Sequence, residues 1–333
     1  MTVRRALLAV ASAGLGILLI ALLIKVGRLD LRVTAQQLRS VSLIAFGKLV
    51  ALNVLLVYLS SEKWRSIDAA WRRSSDSVPS RTTSFALTSA GLALGMFLPV
   101  QIAMATARTL GTYFHGRPLK RGTGGTLLEQ GFDLLTVAFL AVASWATWLY
   151  SGGALMWTLS AVAMTTLALL AVSPSIRLIR WLAAFYNART AAPRNRILLS
   201  FWELQHSGVL NARLALRLVI LSVARFCVTV LMSVQTAQAI GLHIPPWQMA
   251  ASIPVVVFAS VIALTPGGIG VNELAAVTAL KIFGTPLAIA AQWAIANRVL
   301  VAASYIVIAA GAAAILAAER IMAPRTPDAL RDY

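Results

Sequence analysis

Apolar runs long enough to cross a bilayer decide, before anything else, what this chain can fold into. Nearly uncharged stretches occupy residues 6–26, 43–60, 127–149, 154–172, 214–240 and 287–317. About 20 residues of helix, at 1.5 Å each, cover the ~30 Å hydrocarbon core. No water reaches that core, so each segment has to satisfy its own backbone N–H and C=O groups, and a run of this length must be helical. Composition agrees: 59% of the 333 residues are hydrophobic and only 12% are charged, about half the charge of a soluble domain. The expected class is all-α, a polytopic transmembrane helix bundle forming a single integral membrane domain over 1–333.

The first residues, "MTVRRALLAV", open like a secretory signal. The apolar run that follows is longer than a signal's hydrophobic region and is not followed by a small-x-small cleavage site. Residues 6–26 are therefore read as an uncleaved first span. The lone Cys227 offers no disulfide framework, and His115, His206 and His243 have no metal-ligand neighbours at helical spacing, so no metal and no cofactor is expected. "GGIG" lacks the strand context of a dinucleotide fingerprint, and "RGTGGT" at 121–126 lacks the Lys-Ser/Thr of a phosphate loop. No catalytic residue is assigned, and the segments between spans are too short for a soluble catalytic domain.

The formal charge is +18, from 29 Lys and Arg against 11 Asp and Glu. These cations fall in loops between apolar runs, which is the positive-inside pattern and not a nucleic-acid footprint, so no nucleic acid partner is expected. Arg4 and Arg5, the 62–82 loop (Lys63, Arg65, Arg72, Arg73, Arg81), the 115–121 segment and the 173–213 connection all read as cytoplasmic. The uncharged turns at 150–154 and 241–246 read as external. Both termini are then cytoplasmic.

Two apolar regions are interrupted: 83–114 by "FLPVQ" at Pro99, and 247–284 by "LTPGGIG" at Pro266. As straight helix the first would measure roughly 48 Å, more than one crossing and less than two. With the loop assignments above, it becomes a re-entrant hairpin from the inside and the second a re-entrant hairpin from the outside. The chain then divides into two inverted halves, 1–150 and 151–318, each with a broken helical hairpin, followed by a tail at 319–333. Each half also has an amphipathic segment after its first span, at 27–42 and 175–190. Broken segments at matching positions of inverted halves point to a transporter's central site, because freed backbone at membrane depth must be packed in protein or line a cavity. Two proline kinks in ordinary spans are the alternative.

Charges inside apolar runs are functional candidates because they are costly to place there. Arg108 follows Pro99 and either snorkels to the cytoplasmic surface or meets a headgroup phosphate. Glu129 and Asp133 are four apart and so share a helix face; they either stabilise the start of their helix or pair with Arg108 or with a substrate amine. Gly267, Gly268 and Gly270 allow a tight turn, and the helix beginning near Val271 presents an N-terminal anion site. Asn272 and Glu273 could cap that same end. Arg298 sits about twelve residues into the last run, near mid-membrane, and needs a partner, for which Glu273 is the obvious residue; it either forms a structural salt bridge or serves in gating or substrate binding. Lys48 and Asn53 are weaker candidates.

The segments "LTPGGIGVNE", "FLPVQIAMATAR", "LLEQGFD", "SSEKWR" and "ANR" resemble the lysylphosphatidylglycerol synthase transmembrane-region family of flippase-like integral membrane proteins. The resemblance covers nearly the whole chain and is most specific at Pro266 to Glu273. Asn272 stands where that family often has Arg, and Gln130 where Glu-Arg is usual. The resemblance implies the bacterial cytoplasmic (inner) membrane, with membrane lipids, above all anionic ones, as partners. It also implies that the chain moves a lipid or lipid-linked headgroup, holding it in a central cavity between the hairpins. The alternatives are a membrane-embedded transferase acting on a lipid-linked substrate and a non-transporting partner of a lipid-modifying enzyme.

Overall fold

The computed structural model describes residues 3–27, 29–71, 79–114, 119–187, 211–262 and 265–322. The later part of the 173–213 connection and most of the 319–333 tail lie outside these residues. The described chain forms α1 (Val3–Val26), α2 (Leu31–Arg39), α3 (Leu43–Ala70), α4 (Arg81–Leu94), α5 (Val100–Phe114) and α6 (Leu119–Leu149). It continues with α7 (Ala154–Asn187), α8 (Ala212–Ala239), α9 (Pro246–Ile262), a 3-10 turn (Pro266–Gly268), α10 (Val271–Ile282) and α11 (Leu287–Met322). Among the described residues, five helices carry stretches long and apolar enough to cross a membrane: Leu43–Ala70, Gly122–Leu149, Ala154–Val172, Ala212–Ala239 and Leu287–Ala318. The 6–26 run lies in α1, whose Gly14–Val26 part is apolar. The protein is a polytopic helical membrane protein.

Short polar side chains set several helix starts. Asp30 accepts from the Arg32 and Val33 amides at 2.8 and 3.3 Å and opens α2 within the amphipathic 27–42 segment. Ser42, Ser80 and Asn211 do the same for α3, α4 and α8. Each satisfies an amide that has no partner within the helix.

Three helices outrun the apolar runs that announce them. The 62–82 loop is a misreading over its first part, because α3 continues to Ala70 and buries Glu62, Lys63, Trp64, Ile67 and Asp68. Apolarity ends near residue 60, but neighbouring helices still cover the chain and supply polar partners there. In the same way α6 begins at Leu119, upstream of the expected 127, and α7 runs through Pro174 to Asn187, into the expected 175–190 segment.

At the centre, α8 packs against α3, α6, α7, α9 and α11. Ile67 clusters with Leu214 and Leu218, and Leu49 with Met232, so α3 and α8 run antiparallel. Two hairpins complete the arrangement. In α4–α5, Gly95 lies against Val100, Gly91 against Met104 and Gly111 against Leu87. The α9–α10 hairpin is closed at its far end by Thr285, whose hydroxyl donates to Gln248 Oε1 at 2.7 Å, and by the Trp247–Phe283 edge contact.

Candidate functional site

The two hairpin breaks meet. Gly267, Gly268 and Gly270 have φ of +59°, +67° and +82°, a left-handed conformation that glycine adopts at little cost. At Gly267 there is a second reason for glycine, since a Cβ there would overlap the Met96 carbonyl in the turn between α4 and α5. A Cβ at Gly270 would also overlap Gly16 and Leu19 of α1. The "FLPVQ" and "LTPGGIG" breaks therefore touch through backbone, with α1 against the second.

The first turn of α10 is already satisfied from within. Glu273 accepts a hydrogen bond from the Gly270 amide at 2.6 Å, so the chain's own carboxylate occupies the expected N-terminal anion site. Arg298 donates to the Gly267 carbonyl at 2.7 Å. Its nearest approach to Glu273 is 3.6 Å, an ion pair beyond direct hydrogen-bond length. Arg298 thus clamps the break and keeps donor capacity to spare. Beside it lies a cavity of about 150 Å³ lined by Met96, Asn272, Glu273, Trp293, Asn297 and Arg298, among others. The amide oxygens of Asn272 and Asn297 are buried and have no protein partner, and buried polar groups without partners are rare.

A second charged group lies elsewhere. Arg108, with no exposed side-chain surface, pairs with Glu129 through both terminal nitrogens. It also reaches the Ser60 carbonyl at 3.4 Å and Thr88 at 3.3 Å, and lies over the Trp64 ring at 5.4 Å; of its donors only Nε is without a partner. Lys63, equally buried, donates to Asp133 and to Ser222 at 2.8 Å. Arg225 takes the other oxygen of Asp133.

The candidate residues therefore do not share one cavity. Gly267, Gly268, Gly270, Asn272, Glu273 and Arg298 gather at the break. Arg108, Glu129 and Asp133 do not: Arg108 is eight residues beyond the start of α5, or roughly 12 Å along it. Arg108 neither snorkels nor is open to a headgroup, because Glu129 holds it. Glu129 and Asp133 do not stabilise a helix start, since α6 begins ten residues before Glu129. Lys48 is exposed, and Asn53 is buried and donates to Ser304 at 2.8 Å. The sequence reading missed Lys63, taken for a loop charge, along with Arg225 and Asn297. Arg225 did carry a signal, an arginine in the middle of the 214–240 run, the same kind that singled out Arg298.

The model of one family, described as "Lysylphosphatidylglycerol synthase TM region", matches residues 7–311, and the chain belongs to that family. No curated protein and no solved structure matches it.

Proposed function

We propose that this member of the lysylphosphatidylglycerol synthase TM region family moves a lipid or lipid-linked headgroup between the leaflets of a bacterial inner membrane. The headgroup is held where the two helix breaks meet. One observation carries the reading: two broken hairpins touch beside a polar cavity in which two amides lack partners and an arginine has donors to spare. Paired discontinuous helices are how helical transporters bring polar backbone to membrane depth. An anionic headgroup would take its phosphate from Arg298 and its remaining polar contacts from Asn272 and Asn297. Both termini then lie on the cytoplasmic side, and the two halves are inverted about the meeting point.

The test is leaflet exchange. The purified chain in liposomes should accelerate transfer of a labelled anionic lipid between leaflets, and Arg298→Ala should slow this at least tenfold while the protein stays folded. No acceleration with any anionic lipid would end the reading. Turnover of a donor substrate by the isolated chain would favour a transferase instead.

A further inference from the structure

The cavity at the breaks has more unmet hydrogen-bond capacity than a phosphate can use. Arg298 supplies the donors that a phosphate needs, and beside it stand acceptors. Glu273 uses one carboxylate oxygen on the Gly270 amide at 2.6 Å, while among the described residues the other has only the Arg298 guanidinium, at 3.6 Å. The amide oxygens of Asn272 and Asn297 have no partner. Three oxygens are therefore short of donors, and a phosphodiester ionised at neutral pH has no proton to give them.

The same residues are placed to meet one small group. Asn297 lies between Trp293 and Val301 on one face of α11, next in sequence to Arg298, and Asn272 precedes Glu273 in the first turn of α10. All six line one cavity of about 150 Å³. Pockets that enclose a whole small ligand measure roughly 300–1,000 Å³, so this one admits the tip of a headgroup. Trp293 and Val301 form apolar wall, and the indole is fixed by its Nε1, which donates to the Ser233 carbonyl at 3.1 Å. Apolar walls around a few convergent polar atoms suit a polyol, with its C–H faces and hydroxyl edges.

Hydroxyl and ammonium groups both bring protons, and the amides choose between them. An amide carries an oxygen and an NH2 at the same end, and a half-turn about χ2 exchanges the two. A hydroxyl donates to the one or accepts from the other, whereas an ammonium only donates. An ammonium would also be drawn to Glu273, but Arg298 already faces that carboxylate, so a second cation gains less there. Resting on the reading that this cavity holds a lipid headgroup, we infer that it selects a phosphodiester whose headgroup carries free hydroxyls, as a glycerol, an inositol or a sugar does. The phosphate lies on Arg298 and the hydroxyls on Asn272, Asn297 and Glu273.

The experiment follows thermal unfolding of the full chain in phosphatidylcholine nanodiscs carrying increasing fractions of phosphatidylglycerol or of phosphatidylmethanol. These two lipids share the phosphodiester and its charge and differ in hydroxyls, so the general attraction of an anionic surface is common to both. Phosphatidylglycerol should reach its half-maximal rise in midpoint at about a tenfold lower fraction. Phosphatidylethanolamine, which offers an ammonium instead, should raise the midpoint less than phosphatidylglycerol does. Asn272→Ala and Asn297→Ala should each narrow the gap by weakening phosphatidylglycerol, with phosphatidylmethanol left where it was. The inference is overturned if the two anionic lipids act at the same fraction, or if the gap survives in both variants. It is also overturned if phosphatidylethanolamine raises the midpoint more than phosphatidylglycerol, which would assign the cavity to an ammonium. Loss of folded protein in the two variants in plain phosphatidylcholine would show that the amides hold the turn, and would overturn it as well. Leaflet exchange of the same two anionic lipids keeps this apart from the transport reading. A gap in binding with no exchange of either lipid ends transport alone, and equal binding with exchange of both ends this inference alone.

Discussion

Arg108 and Arg298 both sit inside apolar helices, and the fold treats them in opposite ways. Arg108 is enclosed: a carboxylate takes both terminal nitrogens, a carbonyl and a hydroxyl add to it, and an indole covers its face. Arg298 is 23% exposed and is held by one carbonyl, with its carboxylate at 3.6 Å and a cavity beside it. The first arrangement joins α3, α4, α5 and α6. The second leaves two amide oxygens without protein partners next to a glycine turn. A buried ion pair that is fully engaged resists the loss of either member, while an incompletely engaged one leaves capacity for a ligand. Stability should therefore concentrate at Arg108 and binding at Arg298.

The largest expected effect is at the closed pair. Glu129→Gln strands Arg108 and should cost about 3–5 kcal/mol, read as a steep fall in the thermal midpoint or loss of folded protein. The double change Arg108→Met with Glu129→Met should recover most of that loss, because no buried charge is left unpaired. A double variant as unstable as Glu129→Gln would mean that the pair does something beyond neutralising itself.

A middle-sized effect is expected at Gly267→Ala. A side chain there has to hold positive φ and push back the Met96 carbonyl, a strain of about 1–3 kcal/mol. Because the strain falls where the breaks touch, leaflet exchange should drop far more than the midpoint does. Equal losses in both would remove the distinction between the two regions.

The smallest expected effect on stability is at Asn272→Ala and Asn297→Ala. Neither amide oxygen has a protein partner, so each change should stay within about 0.5 kcal/mol of the parent and could even stabilise by removing an unsatisfied group. Lipid exchange should slow in both. A loss of stability well beyond that range would show that these amides hold the fold and are not waiting for a ligand.

The break was legible because its cause is local. Pro266 and the glycines around it interrupt a helix wherever they stand, and the helix resuming at Val271 with Glu273 at its first turn follows from the same residues. Arg298 was legible because its cost at membrane depth does not depend on its neighbours. Lys63 was not, because a lysine just beyond an apolar run reads as a loop cation until the neighbouring helices that bury it are in place. Arg225 carried the mid-run signal, yet nothing near it in sequence names Asp133, which is 92 residues away.

By itself the sequence determined the membrane-helix class, most of the apolar cores of the spans and the two interruptions, because hydropathy and backbone propensity act residue by residue. Only the tertiary structure decided where α3 and α6 end, that the two breaks touch, and that the candidate charges divide into a closed network and an open cavity. Those outcomes depend on the rotation and depth of each helix against its neighbours, and ion pairs such as Arg108–Glu129 and Arg225–Asp133 form only once that packing is set.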